Sequence, residues 1–264
     1  MAWKQQLGRW SIQVGLDPRK LSYSIRETPA LHRDRKRFEA QRKQSRFAAD
    51  FTMGKPYRVF GERHQQAGAA SGHYFHQDLL VARDVFTRNP ARHIDVGSRV
   101  GGFVSHVASF REIEVVDIRP LPPIQGIKFL QADIMDLRPE LVDSADSVSC
   151  LHALEHFGLG RYGDPVDFDG WHKGLQGLTS MVQAHGLLYL SVPTARHQRI
   201  EFNAHRVFSL PFLRTVLLRS FEIESCSFVN DGGDLIEDID PYSAQANDSF
   251  GASYGCSIWT LRKR

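Results

Sequence analysis

Cysteine is scarce in this 264-residue chain. Its three copies, Cys150, Cys226 and Cys256, stand far apart with no CxxC spacing. That excludes a disulfide framework and a cysteine-clustered zinc site, and the odd count fits a reducing compartment. Long apolar runs are missing too, since no stretch approaches the roughly 20 uninterrupted apolar residues of a membrane span. The opening MAWKQQLGRWSIQVGLDPRK lacks the apolar core and small-residue cleavage site of a signal peptide, so a soluble, cytoplasmic protein is expected. Charge of one sign is also modest. With 33 Lys+Arg against 30 Asp+Glu the net charge is +3, too little to advertise a nucleic-acid groove.

The charge that is present is uneven. Residues 1–50 carry twelve Lys/Arg against five Asp/Glu, including the run His32-Arg33-Asp34-Arg35-Lys36-Arg37. This stretch reads as a solvated helix face with interspersed acids, or as a patch for an anionic membrane surface or a glycosyltransferase partner. Asp17-Pro18 marks a helix start there, and a glycine-rich connection runs from Gly61 to Gly72. Two parts are therefore expected: a basic helical extension with its connection over 1–72, and a catalytic domain over 73–264.

HYFHQDLLVARDVFTRNP suits an amphipathic helix stopped by Asn89-Pro90. From Arg92 short apolar runs alternate with helical patterns, the texture of a parallel α/β sheet. HIDVG, IEVVDI, IKFLQAD, ADSVSCLH and GLLYLSVP read as five strands. Gly101 to Phe110, Trp171 to Ala184 and Leu210 to Ser220 read as helices. FEIESCSFV and GCSIWTLRK follow with no helical pattern between them, which predicts a C-terminal antiparallel hairpin. Dinucleotide dehydrogenases normally continue with further βα units, for which no chain remains.

The first strand ends in Asp95-Val96-Gly97-Ser98-Arg99-Val100-Gly101-Gly102. Glycine lets backbone approach a ligand, and a helix N-terminus beyond it supplies N–H groups. The pattern resembles the D-x-G-x-x-x-G form of methyltransferase motif I, with Asp95, Gly97, Ser98 and Gly101 as cofactor-binding candidates. A carboxylate suits a sulfonium ligand better than a pyrophosphate, which wants G-x-G-x-x-G. Asp117, with Ile118, ends the second strand and can accept both ribose hydroxyls. Asp133, with Ile134, ends the third and can receive an adenine amine. Three acids on three successive strand tips point to S-adenosylmethionine and to a Rossmann-like, class I methyltransferase sheet.

HYFHQDLLVAR, HIDVGSRVGGFVSHVASF, VVDIRPL, LHALEHFGLGRYGDPVD and EFNAHRVFS make residues from about 73 to 209 similar to an uncharacterised methyltransferase-like family. It is described only as a domain of unknown function, met in nematodes and in bacteria, there often in cell-surface polysaccharide settings. The resemblance implies a polysaccharide context without supplying a reaction.

The segment after the fourth strand, Leu151-His152-Ala153-Leu154-Glu155-His156, lies where ligands sit in open α/β sheets. A hydroxyl acceptor must lose a proton, and histidine is the usual base near neutral pH. His156 is the first candidate and His152 the second, with Glu155 orienting an imidazole or, like His152, contacting the cofactor. His152-x-x-Glu155-His156 also matches an inverted zinc-peptidase signature. That chemistry needs both histidines on one continuous helix, which the flanking strand and Gly158, Gly160 and Gly163 deny. Asp164, Asp167 and Asp169 offer carboxylates for a Mg²⁺ that would chelate a sugar diol, but they read rather as polar loop residues around Pro165, so no metal is expected. Arg161, Tyr162, Asn203, His205 and Arg206 are substrate-binding candidates, and Tyr74, Phe75 and Gln77 lid the cofactor or fill the core. DNA-amino methyltransferases carry Asn/Asp-Pro-Pro-aromatic after this strand, and this chain does not.

The expected function is O-methylation of a sugar or glycan hydroxyl. Two other classes stay open: a non-catalytic adenosylmethionine-binding protein docking to a glycan-synthesis partner, and a nicotinamide-dependent sugar-modifying enzyme.

Overall fold

Proline needs no N–H in the first turn of a helix, and an aspartate before it can cap the exposed amides. Pro18 accordingly starts α1 (Pro18–Lys43), where the Asp17 carboxylate accepts from Arg19 N at 2.9 Å. A computed structural model describes residues 17–63, 68 and 70–264 in two units, Met1–Gly68 and Ala69–Arg264. In the first unit α1 buries none of its residues, so it draws no support from a core. It is braced by Glu27 accepting from Gly61 N at 2.9 Å and by an Arg63–Asp34 ion pair at 2.9 Å. The expected helical stretch over 1–16 and residues 64–67 and 69 of the joint fall outside the described residues.

The second unit is a three-layer α/β structure. Strands β1 (His93–Val96), β2 (Ile113–Asp117), β3 (Ile127–Gln131), β4 (Ala145–Leu151) and β5 (Val182–Thr194) pair in parallel. β8 (Phe221–Val229), β9 (Leu235–Ile236) and β10 (Gly255–Lys263) complete a sheet ordered β3-β2-β1-β4-β5-β10-β8-β9. β10 inserts between β5 and β8, antiparallel to both. The sheet is thus mostly parallel with an antiparallel C-terminal element.

Strands covered on both faces must be apolar on both. On one face α2 (His73–Arg88) sets Val81 and Val85 against Phe103, Val107 and Val115. On the other, α4 (Gly170–Met181) and α5 (Leu210–Leu217) pack Leu178 and Leu213 against Ile94, Val148 and Trp259. Leu178 and Trp259 are fully buried, and truncating a leucine in such a core costs about 2–5 kcal/mol. A small hairpin, β6 (Arg199–Glu201) with β7 (His205–Val207), and a short α6 (Ala244–Asn247) complete the unit.

Three expected boundaries move. The helix read over Gly101 to Phe110 is regular only in α3 (Ser105–Ala108), preceded by a wide, distorted turn at Val100–Val104 in which Gly101 and Gly102 leave helical geometry. The helix read to Ala184 ends at Met181, because the chain turns directly into β5 and its bulge opposite Ala145–Ser147. The helix read to Ser220 ends at Leu217. β6, β7 and β9 are too short to leave an alternating pattern in the sequence.

Candidate functional site

The loop after β1 is built by two close approaches. Gly97 adopts φ +70°, and a Cβ there would meet the Ala153 Cβ at 3.0 Å. A Cβ on Gly102 would sit 2.4 Å from Asp78 Oδ2. Asp78, on α2, occupies space that any other residue at 102 would need. Sequence reading passed over both partners, since neither stands near the loop along the chain.

Asp95 braces this loop from within. It is fully buried and accepts from Ser98 N at 3.1 Å and Ser149 Oγ at 2.6 Å, with a 2.5 Å bond from Ser98 Oγ. Burial pushes its pKa up to about 7 against those three donors. Asp95 thus supports the glycine loop as expected, and it and Ser98 bond to the protein and lie outside the lining of the cleft. Gly101 is exposed and likewise stands away from the lining. With regular helix beginning only at Ser105, the expected helix N-terminus is not at this loop.

The tips of β1, β2 and β3 open into a chamber with mostly apolar walls: Val96, Val116, Ile118, Ala132, Ile134 and Phe157. Asp117 and Asp133 are the carboxylates placed on it by the strand ends. Asp117 accepts from Arg119 N at 2.8 Å, Nε at 3.0 Å and Nη2 at 2.6 Å. Since a carboxylate has about four lone-pair sites, a ribose diol would have to share them with Arg119. That guanidinium also lies 4.3 Å from the Tyr162 ring centre. Asp133 Oδ1 accepts from Met135 N at 2.8 Å, leaving Oδ2 for an exocyclic amine.

A second, more polar chamber adjoins the first and shares Gly97, Arg119, His152, His156 and Tyr162 with it. Its other walls include Tyr74, Arg99, Glu155, Arg161, His205 and Tyr254. His152 sits just past β4 at φ +51°. Its Nδ1 donates to Glu155 Oε1 at 2.7 Å, and its Nε2 meets His73 Nδ1 at 3.1 Å. Burial disfavours the imidazolium, yet the adjoining Cys256 and the Glu155 carboxylate outweigh it and hold His152 well above the usual histidine range. Burial would likewise raise Glu155, but the charge and hydrogen bond of His152 pull its carboxyl below the ordinary value. Glu155 Oε2 is buried with no hydrogen-bond partner among the described residues.

His156 lies at the seam between the chambers. Its Nδ1 is 2.7 Å from Ala204 O. A carbonyl only accepts, so Nδ1 carries the proton and Nε2 keeps a lone pair. Burial lowers its pKa, which favours that neutral form. Arg161 shares the Ala204 carbonyl at 2.9 Å, and Tyr162 meets the His156 ring edge-on at 5.5 Å between centres.

Of the substrate candidates, Arg161, Tyr162 and His205 reach this chamber. Asn203 stays on an exposed turn outside its lining. Arg206 is buried and donates to Phe157 O at 2.6 Å and Phe168 O at 3.0 Å. It clamps loop carbonyls, with its Nε buried and unpartnered among the described residues, and it lines neither chamber. Gln77 is buried and accepts from Ser191 Oγ at 2.6 Å, Phe75 is exposed, and Tyr74 alone of that trio lines the second chamber. Asp164 accepts from Gly158 N and Asp167 pairs with Lys173, as loop residues do. His73, Arg99, Arg119 and Tyr254 went unrecognised in the sequence because they carry no motif and converge only through the sheet.

The family model described as "Caenorhabditis protein of unknown function, DUF268" matches residues 128–247. It therefore takes in the LHALEHF and EFNAHRVFS segments and omits the glycine loop. No curated protein matches the chain. The 1,6-didemethyltoxoflavin-N1-methyltransferase of Burkholderia thailandensis, solved with 1,6-didemethyltoxoflavin and S-adenosylhomocysteine, is 15% identical over 71% of this chain and 78% of that one, at TM-score 0.51. The N-methyltransferase NodS of Bradyrhizobium japonicum WM9, solved with S-adenosylhomocysteine, is 12% identical over 73% and 88%, at TM-score 0.46. YcgJ of Bacillus subtilis is 15% identical over 72% and 98%, at TM-score 0.48. The first of these likenesses bears on architecture, and with the observed strand order it establishes that this chain has the Rossmann-like fold of class I methyltransferases.

Proposed function

We propose that this protein is an S-adenosylmethionine-dependent methyltransferase that O-methylates a hydroxyl of a sugar or glycan in cell-surface polysaccharide biosynthesis. The observation that carries this reading is the meeting of two chambers, one apolar and one polar, at His152 and His156. The apolar chamber fits an adenosyl group: Asp117 stands where ribose hydroxyls would be accepted, Asp133 offers one carboxylate oxygen, and Ile134 and Met135 supply a flat apolar wall. When bound, adenosylmethionine supplies an electrophilic methyl carbon. The chain's own residues position the acceptor and exclude water, which carries much of the acceleration in such displacements. His156 Nε2 takes the acceptor proton, and Arg161, Tyr162 and His205 hold the polyol. Arg99 and Arg161 tilt the chamber toward acceptors that also carry a phosphate or carboxylate.

The nicotinamide reading is disfavoured by the distorted Val100–Val104 turn. A pyrophosphate wants a regular helix N-terminus at that loop, and helix begins later. The basic segment around α1 docks, in this reading, to an anionic membrane surface or a glycosyltransferase. Among the described residues no helix is long and apolar enough to cross a membrane.

Calorimetry tests the cofactor first. Wild type binds adenosylmethionine and not NAD(P), and Asp117→Ala weakens binding about ten- to a hundredfold, the worth of hydrogen bonds to a charged group. Binding of NAD(P) alone overturns the reading. Release of S-adenosylhomocysteine with nucleotide sugars or oligosaccharides then tests the acceptor. Cofactor binding with no turnover on any acceptor favours the binding-protein alternative.

A further inference from the structure

We propose that His73, His152 and Cys256 form a transition-metal site of the zinc class, with its open coordination position facing the polar chamber. The three come from separate elements: the first residue of α2, the end of β4 and the start of β10. Their donor atoms, two imidazole nitrogens and one sulfur, all lie within 4.8 Å of one another. Around a tetrahedral zinc, ligand nitrogens sit about 3.4 Å apart. The observed 3.1 Å from His73 Nδ1 to His152 Nε2 is within a few tenths of an ångström of that. Adjusting these side chains therefore brings an ion into place without moving the sheet.

The surroundings support the assignment. His152 donates its other ring nitrogen to Glu155 at 2.7 Å, the carboxylate–histidine arrangement that orients metal-binding imidazoles. Glu155 is itself buried with one oxygen unsatisfied. Two imidazoles with one thiolate select zinc or a neighbouring late transition metal over magnesium or calcium. Three protein ligands are one short of a closed structural site, the pattern of a metal that binds an exchangeable fourth ligand. His152 lines the polar chamber, so an oxygen of a bound polyol or a water is the fourth ligand available. The site is independent of the methyl-transfer reading: it requires only that the ion bind, releasing the protons of Cys256 and of His152 Nε2.

Tag-free, chelator-stripped full-length protein is reconstituted with Zn²⁺ or Co²⁺, passed over a desalting column, and measured for metal content and electronic absorption. About one ion per chain is expected, with a thiolate-to-cobalt charge-transfer band and the intense visible bands of four-coordinate cobalt. Cys256→Ser removes the charge-transfer band, and His73→Phe lowers retained metal at least about tenfold, the loss expected of one ligand. Because Cys256 is buried, His73→Phe at a half-buried position keeps the test intact if the serine variant does not fold. Metal content equal in wild type and His73→Phe, a cobalt spectrum without a thiolate band, or no retained metal overturns the proposal. Adenosylmethionine calorimetry on the same stripped protein reports separately on the cofactor chamber.

Discussion

The two chambers differ in how they are made. The apolar one is built mainly by three successive strand tips between Val96 and Met135, closed by residues 152–164 beyond β4. The polar one gathers Tyr74 from α2, His152 and Glu155 from beyond β4, Ala204 from the β6–β7 turn and Tyr254 from before β10. The first offers an apolar cleft with the carboxylates Asp117 and Asp133 at its strand tips. The second concentrates buried charge, with Glu155 and His152 almost wholly enclosed. A chamber made by consecutive βα turns comes with the fold, whereas one made by convergence carries whatever chemistry is particular to this chain.

Glu155 is where the contrast is steepest. In the metal-free protein Glu155→Ala leaves His152 a buried cation without its acceptor, at a cost of about 3–5 kcal/mol in stability, with turnover lost. The pH dependence follows from the two shifts. The lowered Glu155 pKa contributes stability above the ordinary carboxyl range, lost as pH falls through the lowered value. The raised His152 pKa contributes stability below the ordinary histidine range, lost as pH rises through the raised value. Thermal unfolding of wild type should plateau between those limits, and Glu155→Gln should flatten both shoulders. Superimposable profiles would show that the polar chamber is no more charge-dependent than its neighbour.

His156 comes next, at the seam. His156→Gln should lower kcat about 10²–10⁴-fold, the range for a positioned base, while leaving adenosylmethionine affinity unchanged. Because burial lowers its pKa, the acid limb of the wild-type pH–rate profile should fall below the ordinary histidine value of 6.5. A matched loss of cofactor affinity would mean that His156, which walls both chambers, serves the first rather than the acceptor.

Sequence reading succeeded where chemistry followed the chain. Five parallel strands, the α2 stop at Asn89, the Asp17 cap and the cluster Asp117, Asp133, His152, Glu155 and His156 were legible as runs and short motifs. Asp95 was legible as a support of the glycine loop, the role its bonds to Ser98 fill, but strand alternation cannot say whether such a carboxylate also meets a ligand. Arg206 failed for the same reason: its bonds to the carbonyls of Glu155, Phe157, Asp167 and Phe168 exist only in the folded loop. His73 and Cys256, 183 positions apart by their numbers, met no rule based on spacing. The wide Val100–Val104 turn depends on Asp78 lying against Gly102, a contact between separate elements.

Asp95 sharpens the comparison from the cofactor side. An acid whose folded pKa is raised to about 7 subtracts stability as pH rises above its unfolded value, at about 1.4 kcal/mol per pH unit until the folded pKa is reached. Asp95→Asn should remove that decline, so that chemical denaturation gives a flatter stability between about pH 4 and 7, while both serine hydroxyls keep the amide oxygen and only the Ser98 N–H contact is lost. An unchanged slope would mean that Asp95 is already ionised there, and that the loop bounding the first chamber holds a buried charge like that of the second.

Asn203 marks the outer limit of the polar chamber. The neighbouring Ala204 carbonyl is held by His156 and Arg161, so the turn is anchored through its backbone and the Asn203 side chain is left outside. Asn203→Ala should alter stability by no more than about 0.5 kcal/mol, as surface substitutions do, and acceptor KM by less than about twofold, a binding change of under half a kcal/mol. Steady-state kinetics with a long oligosaccharide gives the harder test, since an extended acceptor could run past His205 onto this turn. A tenfold rise in KM for the oligosaccharide, with none for a monosaccharide acceptor, would carry the polar chamber outward to residue 203 and make its asymmetry with the compact cofactor chamber larger than the cavity walls indicate.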